Sequence, residues 1–101
     1  MKALWSQTAL GHLTDVYEYI ARDSERYAKR MVDRITARSK QISDFPESAP
    51  VVTEYGDPTV REVLEGPYRV IYRVRSDAAV VLAVIHGARL LPPELPEERG
   101  L

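Results

Sequence analysis

Arginines recur along one short hydrophobic stretch of the sequence, GPYRVIYRVRSDAAVVLAVIHGAR, and a histidine follows near its end. Arg69, Arg73 and Arg75 lie in the first half of the stretch and His86 in the second. A guanidinium stays charged at neutral pH and binds phosphate or carboxylate through paired hydrogen bonds, whereas histidine exchanges a proton near that pH. Three interpretations are therefore open: a site that cleaves a phosphodiester such as RNA, a charged surface that binds a partner, or a solvated face.

The composition narrows the chemistry that such residues can perform. The chain has no cysteine, and its two histidines, His12 and His86, are far apart in the sequence. We therefore predict no disulfide, no metal site and no cofactor. With a net charge of −1 and an isoelectric point near 6.1, the chain also lacks the broad positive field by which many proteins hold nucleic acid. Sequence-specific binding to nucleic acid is not expected.

The length of 101 residues, of which 45% are hydrophobic, suffices for one domain with one modest core. No run approaches the roughly 18 apolar residues that span a bilayer, and the first residues lack the apolar core of a signal peptide. We therefore expect a cytoplasmic protein that does not enter a membrane. Residues 92–101 are rich in proline and charge and are predicted to form an irregular tail.

The first half of the chain has the spacing of two amphipathic helices. A short strand at residues 2–6 ends at Ser6, a potential helix cap, and an apolar stripe then runs from Ala9 to Ile20. Asp23 or Ser24 could cap the second helix, which Phe45 and Pro46 should end because proline disfavours a helical residue before it. The short connection predicts an antiparallel helical hairpin.

The second half changes to the alternation of β-strands. Three runs rich in valine, isoleucine and tyrosine are separated by turn residues, which predicts consecutive hairpins. In the middle run Tyr68 and Tyr72 share one face with two valines, and the arginines share the other. We therefore predict an α+β fold, β-α-α-β-β-β, in which the helices cover the tyrosine face and the arginine face stays open.

This order of elements, together with REV, GPYRVIYRV and the closing VIHGARLLP, resembles the RelE/ParE superfamily of toxins from type II toxin–antitoxin systems. The resemblance covers nearly the whole chain and implies a small cytoplasmic toxin held inactive by a cognate antitoxin. It also implies one of two activities. ParE-like members poison DNA gyrase without a catalytic site, whereas RelE-like members cleave messenger RNA on the ribosome.

For the RelE-like alternative, the resemblance suggests a catalytic set of Arg61, Arg69, Arg73 and His86. Glu54 or Glu62 would add a second acid or base for metal-free cleavage. Against this alternative, the sequence has no lysine after residue 40 and no tyrosine after residue 72, and its C-terminal acids would repel RNA. We therefore favour the ParE-like branch, which predicts a gyrase poison that is not an enzyme. A remnant that only binds antitoxin is the third alternative.

The expected target-binding residues are Arg69, Arg73, Arg75, His86 and Arg89. A ridge of arginines spaced by four along the second helix could meet acidic groups of the antitoxin or of gyrase. Its members are Arg22, Arg26, Arg30, Arg34 and Arg38. The expected antitoxin contacts are Trp5, Arg26, Arg30 and Arg34, although packing in the core or against a helix is the favoured role for Trp5.

Overall fold

The computed structural model describes residues 1–96, which contain four strands and two helices. In chain order these are β1 (Lys2–Trp5), α1 (Gln7–Ala21), α2 (Glu25–Asp44), β2 (Val60–Glu65), β3 (Tyr68–Val74) and β4 (Ala78–His86). The predicted fold class and the predicted order of elements are confirmed. No helix among these residues has both the length and the apolar character that crossing a bilayer requires.

Serine caps fix where both helices begin. The hydroxyl of Ser6 accepts a hydrogen bond from the backbone N–H of Ala9 at 3.1 Å, and that of Ser24 accepts one from Tyr27 at 3.1 Å. Each satisfies one of the backbone donors that the first turn leaves without a helical partner. Helix α2 ends at Asp44, directly before Phe45 and Pro46. The caps and the stop signal therefore lie where the sequence predicted them, with Ser24 rather than Asp23 as the second cap.

The sheet has the order β1-β4-β3-β2. Strands β2, β3 and β4 form the two predicted antiparallel hairpins, while β1 pairs with β4 in parallel and makes the sheet mixed. Strand β4 is thus central, which explains why it is apolar on both faces. Its register against β3 shifts at Leu82, because Ile71 pairs with Ala83 but Tyr72 pairs with Val81.

Helices α1 and α2 cover one face of the sheet, called here the helix face, and the main core lies between them. Tyr68, Val70 and Tyr72 of β3 contribute to this core, as the alternation predicted. Trp5 also packs against it and donates from its indole N–H to the hydroxyl of Ser39 at 2.8 Å. The packing role considered for Trp5 is therefore confirmed.

The opposite face, called here the loop face, carries a second and smaller apolar cluster of Val52, Val60, Ile71 and Ala83. Two irregular segments cover this cluster. Tyr55 comes from the connection between α2 and β2, and Leu91 and Leu95 come from the chain after β4. Residues 92–96 contain no helix or strand, and the rest of the predicted tail, residues 97–101, lies outside the described residues.

Candidate functional site

Arg69 lies on the loop face between two carboxylates. Its Nε and Nη2 donate to Glu62 at 2.7 and 2.8 Å, and its Nη1 and Nη2 donate to Glu54 at 2.7 and 3.1 Å. Only 16% of the Arg69 side chain is exposed. The prediction of an open arginine face is therefore wrong at this residue, because the connection before β2 folds over the face and brings Glu54 onto the guanidinium.

These contacts shift the pKa values within the ion-pair cluster, which consists of Arg69, Glu54 and Glu62. The hydrogen bonds from Arg69 lower the pKa of Glu54 to about 2, and those to Glu62 and Glu54 raise the pKa of Arg69. Glu54 therefore remains ionised near neutral pH and is a poor proton donor there. A guanidinium paired with two carboxylates also has little charge left to attract a target. Both observations disfavour a catalytic role for this cluster.

Arg73, in β3, and Arg75, just after its end, lie at an open cleft on the loop face with a volume of ≈ 640 Å³. The cleft is lined by Tyr55, Asp57, Arg73, Arg75, Glu94, Leu95 and Pro96. Arg73 is 31% exposed, with its Nη2 3.8 Å from Oδ2 of Asp57, and Arg75 is exposed just beyond the strand. The arginines at this cleft are therefore more exposed to solvent than Arg69.

Arg61 lies on the helix face, because it pairs with Tyr72 across the β2–β3 hairpin. Its Nη1 donates to the backbone carbonyls of Glu47 and Ala49 at 3.0 and 2.7 Å. These bonds attach the connection that follows α2 to strand β2. The position of Arg61 is therefore that of a structural anchor.

His86 also lies on the helix face, where its ring contacts Tyr68 edge-on with the centroids 5.5 Å apart. Its Nδ1 accepts a hydrogen bond from the backbone N–H of Ala88 at 3.0 Å, so the proton of the neutral ring is on Nε2. The exposed Arg89 follows in the turn that ends the strand, and its backbone N–H donates to the carbonyl of His86 at 2.9 Å.

The four residues suggested for RNA cleavage are consequently divided between the two faces. Arg69 and Arg73 lie on the loop face, whereas Arg61 and His86 lie on the helix face. An acid, a base and a cation must reach the same few atoms to act together. Within residues 1–96, moreover, no group of three or more histidine, aspartate and glutamate side chains is placed to hold a metal ion.

Two residues with specific polar contacts were not anticipated. The hydroxyl of Tyr55 donates to the backbone carbonyl of Pro92 at 2.8 Å. The Nδ1 of His12 accepts the backbone N–H of Val84 at 3.1 Å, and burial lowers the pKa of His12. For His12 a signal existed, because it lies three residues after Ala9 on the buried side of α1. For Tyr55 no comparable signal existed, because loop conformation set its partner.

The arginine ridge of α2 is only partly accessible. Arg38 pairs with Glu65 at 3.0 Å, and the guanidinium of Arg22 lies 5.8 Å from the centre of the Tyr19 ring. Arg26, Arg30 and Arg34 are exposed and border a shallow groove together with Lys29, Asp33 and Ala37. Among the described residues, no carboxylate forms an ion pair with these three arginines. They form a basic strip on the outer surface of α2, which the ion pair of Lys29 with Asp33 at 2.9 Å interrupts.

Comparisons with known proteins identify the family. A model of the family described as ParE toxin of type II toxin–antitoxin system, parDE, matches residues 3–91. Toxin RelE2 of Caulobacter vibrioides is 30% identical over 90 residues, which cover 88% of this chain and 98% of that protein. A solved structure titled "Chromosomal ParDE TA system from P. aeruginosa" superposes with a TM-score of 0.70 at 20% identity, covering 85% of this chain and 95% of that one. This chain therefore belongs to the ParE toxin family of type II toxin–antitoxin systems.

Proposed function

We propose that this toxin acts by binding DNA gyrase and trapping its DNA-cleaved state, without a catalytic site of its own. The observation that carries this proposal is the division of Arg61, Arg69, Arg73 and His86 between two faces of the sheet. A nuclease needs such groups to converge, whereas a protein that binds a target needs only an accessible and complementary surface. The match to the ParE family favours the same conclusion.

The target-binding surface in this proposal is the cleft of the loop face. Arg73 and Arg75 contribute its positive charge, and Tyr55 and Leu95 contribute aromatic and aliphatic area. Arginine and tyrosine are enriched among the residues that dominate binding energies at protein interfaces. Arg69 lies beside this surface but acts through its ion pairs, and His86 and Arg89 form a second contact at the end of β4.

A cognate antitoxin is the second proposed partner. The basic strip of Arg26, Arg30 and Arg34 carries three like charges on adjacent turns of α2, and each neighbouring pair costs a few tenths of a kcal/mol in isolation. An acidic segment would relieve this repulsion and gain favourable contacts. The ParDE title of the similar structure supports pairing with an antitoxin. Trp5 would contact the antitoxin through its exposed edge, because its indole N–H already donates to Ser39.

The direct test adds purified toxin to gyrase and supercoiled plasmid. We expect protein-linked linear DNA to accumulate, and we expect the antitoxin to suppress it. The Arg73→Gln, Arg75→Gln double variant should lose most of this activity, while Arg34→Gln, which removes one positive charge from the other side of the molecule, should keep it. Unchanged supercoiling and no trapped cleavage with folded toxin would contradict the proposal.

The name of the Caulobacter relative keeps RelE-like cleavage of messenger RNA as the alternative. Primer extension on translated messages separates the two activities, because it reveals cuts in the ribosomal A site. Cuts together with unaffected gyrase would establish the alternative. Normal growth on expression without antitoxin, with neither activity detectable, would identify a remnant that only binds the antitoxin.

The antitoxin contact is tested by the salt dependence of binding. Replacing Arg26, Arg30 and Arg34 together by Gln should weaken antitoxin binding by roughly tenfold at low salt, and by less at high salt where surface charges are screened. The variant with Arg73, Arg75 and Arg89 replaced by Gln is the matched control, because it removes the same number of positive charges from residues outside α2. Equal losses in the triple variant and the control, or a loss independent of salt, would remove the strip from the interface.

A further inference from the structure

The ion-pair cluster around Arg69 is connected to the segment after β4. Glu54, which the Arg69 guanidinium holds through two hydrogen bonds, directly precedes Tyr55 in the connection before β2. The Tyr55 hydroxyl in turn donates to the carbonyl of Pro92 at 2.8 Å. A chain of specific contacts therefore runs from a rigid central strand, through a loop, to a segment with no helix or strand of its own.

The apolar contacts follow the same route. The ring of Tyr55 packs against the second cluster, where Ile71 of β3 is fully buried, and so does the side chain of Leu95. Within residues 91–96 no backbone hydrogen bond outside helices and strands anchors the segment to the sheet. Its position consequently depends on side-chain packing and on the Tyr55 hydrogen bond.

The backbone also attaches this loop to β2, because the N–H of Val52 donates to the carbonyl of Val60 at 2.9 Å and the N–H of Val60 donates to the carbonyl of Asp57 at 3.0 Å. Asp57 accepts hydrogen bonds from the backbone N–H and the hydroxyl of Thr59, at 2.9 and 2.7 Å, so it organises the loop internally. The Arg73–Asp57 contact is longer, at 3.8 Å. The Arg69 pairs are short and two-pronged, and such paired hydrogen bonds fix orientation as well as distance. The Arg69 pairs are therefore the side-chain connection that fixes the orientation of Glu54, between the backbone anchors at Val52 and Asp57.

We propose that Arg69 is a positioning residue, which fixes Glu54 so that Tyr55 holds residues 91–96 against the loop face. This role goes beyond the proposed binding of gyrase, although the segment it holds forms one wall of the same cleft. It assigns a function to the least exposed arginine of the stretch without requiring contact with a target. The proposal also predicts a one-way dependence. If residues 91–96 become mobile, the loop before β2 stays in place, but if the loop becomes mobile, residues 91–96 become mobile as well.

Backbone ¹⁵N order parameters, measured on the full chain, test this one-way dependence. Glu54→Gln should lower the order parameters of both Thr53 to Asp57 and the segment amides of Leu91, Glu94 and Leu95, toward values below about 0.6. Tyr55→Phe should lower the values of the segment alone, because it removes only the hydrogen bond to Pro92. Contacts between the Leu95 methyl groups and the Tyr55 ring, observed as nuclear Overhauser effects, should be lost in Glu54→Gln.

Glu47→Gln is the matched control, because it removes the same charge from an exposed residue of the same connection. Arg69→Lys should behave as Glu54→Gln, since a lysine cannot form both paired contacts. The proposal is overturned if Glu54→Gln leaves the segment as rigid as in the parent protein, or if it loosens α2 to the same degree. Antitoxin affinity should stay within about twofold in these variants. Because the order parameters do not depend on gyrase, this result is independent of the test of the proposed function.

Discussion

The two faces of the sheet are built from different interactions. On the helix face, two long amphipathic helices bury a continuous core that contains Ile35, Tyr72 and Val81. On the loop face, a cluster of four small or medium side chains is covered by irregular segments and bordered by the Arg69 ion pairs. One face is held by packing between regular elements, and the other by a few contacts from loops. The loop face is therefore expected to tolerate change better and to depend more on charge.

The largest difference between the two faces is expected in the loss of unfolding free energy caused by the same substitution in each core. Ile35 on α2 and Ile71 on β3 are both fully buried. We expect Ile35→Ala to lower the free energy of unfolding by about 4 kcal/mol and Ile71→Ala by about 2 kcal/mol, because loops can collapse into a cavity more easily than packed helices can. Urea denaturation measures both values. An equal or larger loss for Ile71→Ala would show that the loop face is packed as rigidly as the helix face.

The hydrogen bond that His12 accepts from the backbone N–H of Val84 is a titratable contact of the helix face. Replacing His12 by Leu leaves the Val84 N–H without its acceptor, which should cost about 2 kcal/mol of stability in denaturant titrations. Replacing it by Gln offers another acceptor and should cost less. Similar losses for the two variants would mean that packing, rather than the hydrogen bond, explains the effect.

The same residue predicts a dependence on pH. Burial lowers the pKa of His12 below 6.5, and the charge of Asp15 only partly opposes this shift. The unfolded chain therefore binds the proton first as the pH falls below 6.5, so stability should decrease from that point down to the folded-state pKa. The His12→Gln variant should show a smaller decrease between pH 7 and pH 5. If stability falls equally with pH in the parent protein and in the variant, the decrease does not come from His12.

Gyrase trapping should depend on Arg73 and Arg75 of the loop face, whereas stability should not depend on them. We expect Arg73→Gln together with Arg75→Gln to reduce gyrase trapping roughly tenfold, a loss typical of an interface hot spot, while the midpoint of urea unfolding moves little. Cleavage assays and denaturation on the same preparations make the comparison. If the midpoint falls in parallel with activity, the arginines support the fold and their role in binding is lost.

The sequence predicted the helix face well and the loop face poorly. The stripe on α2, the caps at Ser6 and Ser24, and the alternation of Tyr68 and Tyr72 are all local patterns, and local patterns determine which side of a regular element is buried. The alternation placed Arg69 on the same face of β3 as Arg73, which is correct. The burial of Arg69, however, depends on the fold of the loop before β2. No local period encodes the pairing of Glu54 with Arg69 across 15 residues.

The candidate site was consequently identified by residue type but not by arrangement. The alternation correctly separated Arg69 and Arg73 from the tyrosines. It did not show that Arg61 and His86 lie on the opposite face, because that placement follows from the register of β2 and β4 against β3. Register is set by turn geometry and by packing between strands, which one strand's sequence does not contain. The convergence that a catalytic site requires could therefore be judged only from the fold.

The smallest expected effect is the sensitivity of the loop face to acid. The Arg69 hydrogen bonds lower the pKa of Glu54 from an ordinary value of 4.5 to about 2. Above pH 4.5 the ionised pair contributes its full share of stability, and this share should be lost as the pH falls from 4.5 toward 2, because the unfolded chain binds the proton first. Much of Glu54 is exposed, so solvent and salt screen the pair and limit its contribution.

The measurement compares the unfolding free energies of the parent protein and Glu54→Gln from pH 7 to pH 2.5, at low and high salt. The parent should be the more stable protein at pH 7, and the difference should vanish toward the lowest pH and shrink in 1 M salt. Asp57, whose pKa is also lowered, titrates in both proteins and cancels in the comparison. A difference that persists unchanged at low pH would mean that the loop is held by packing, as the helix face is, and that the two faces are more alike than their contacts indicate.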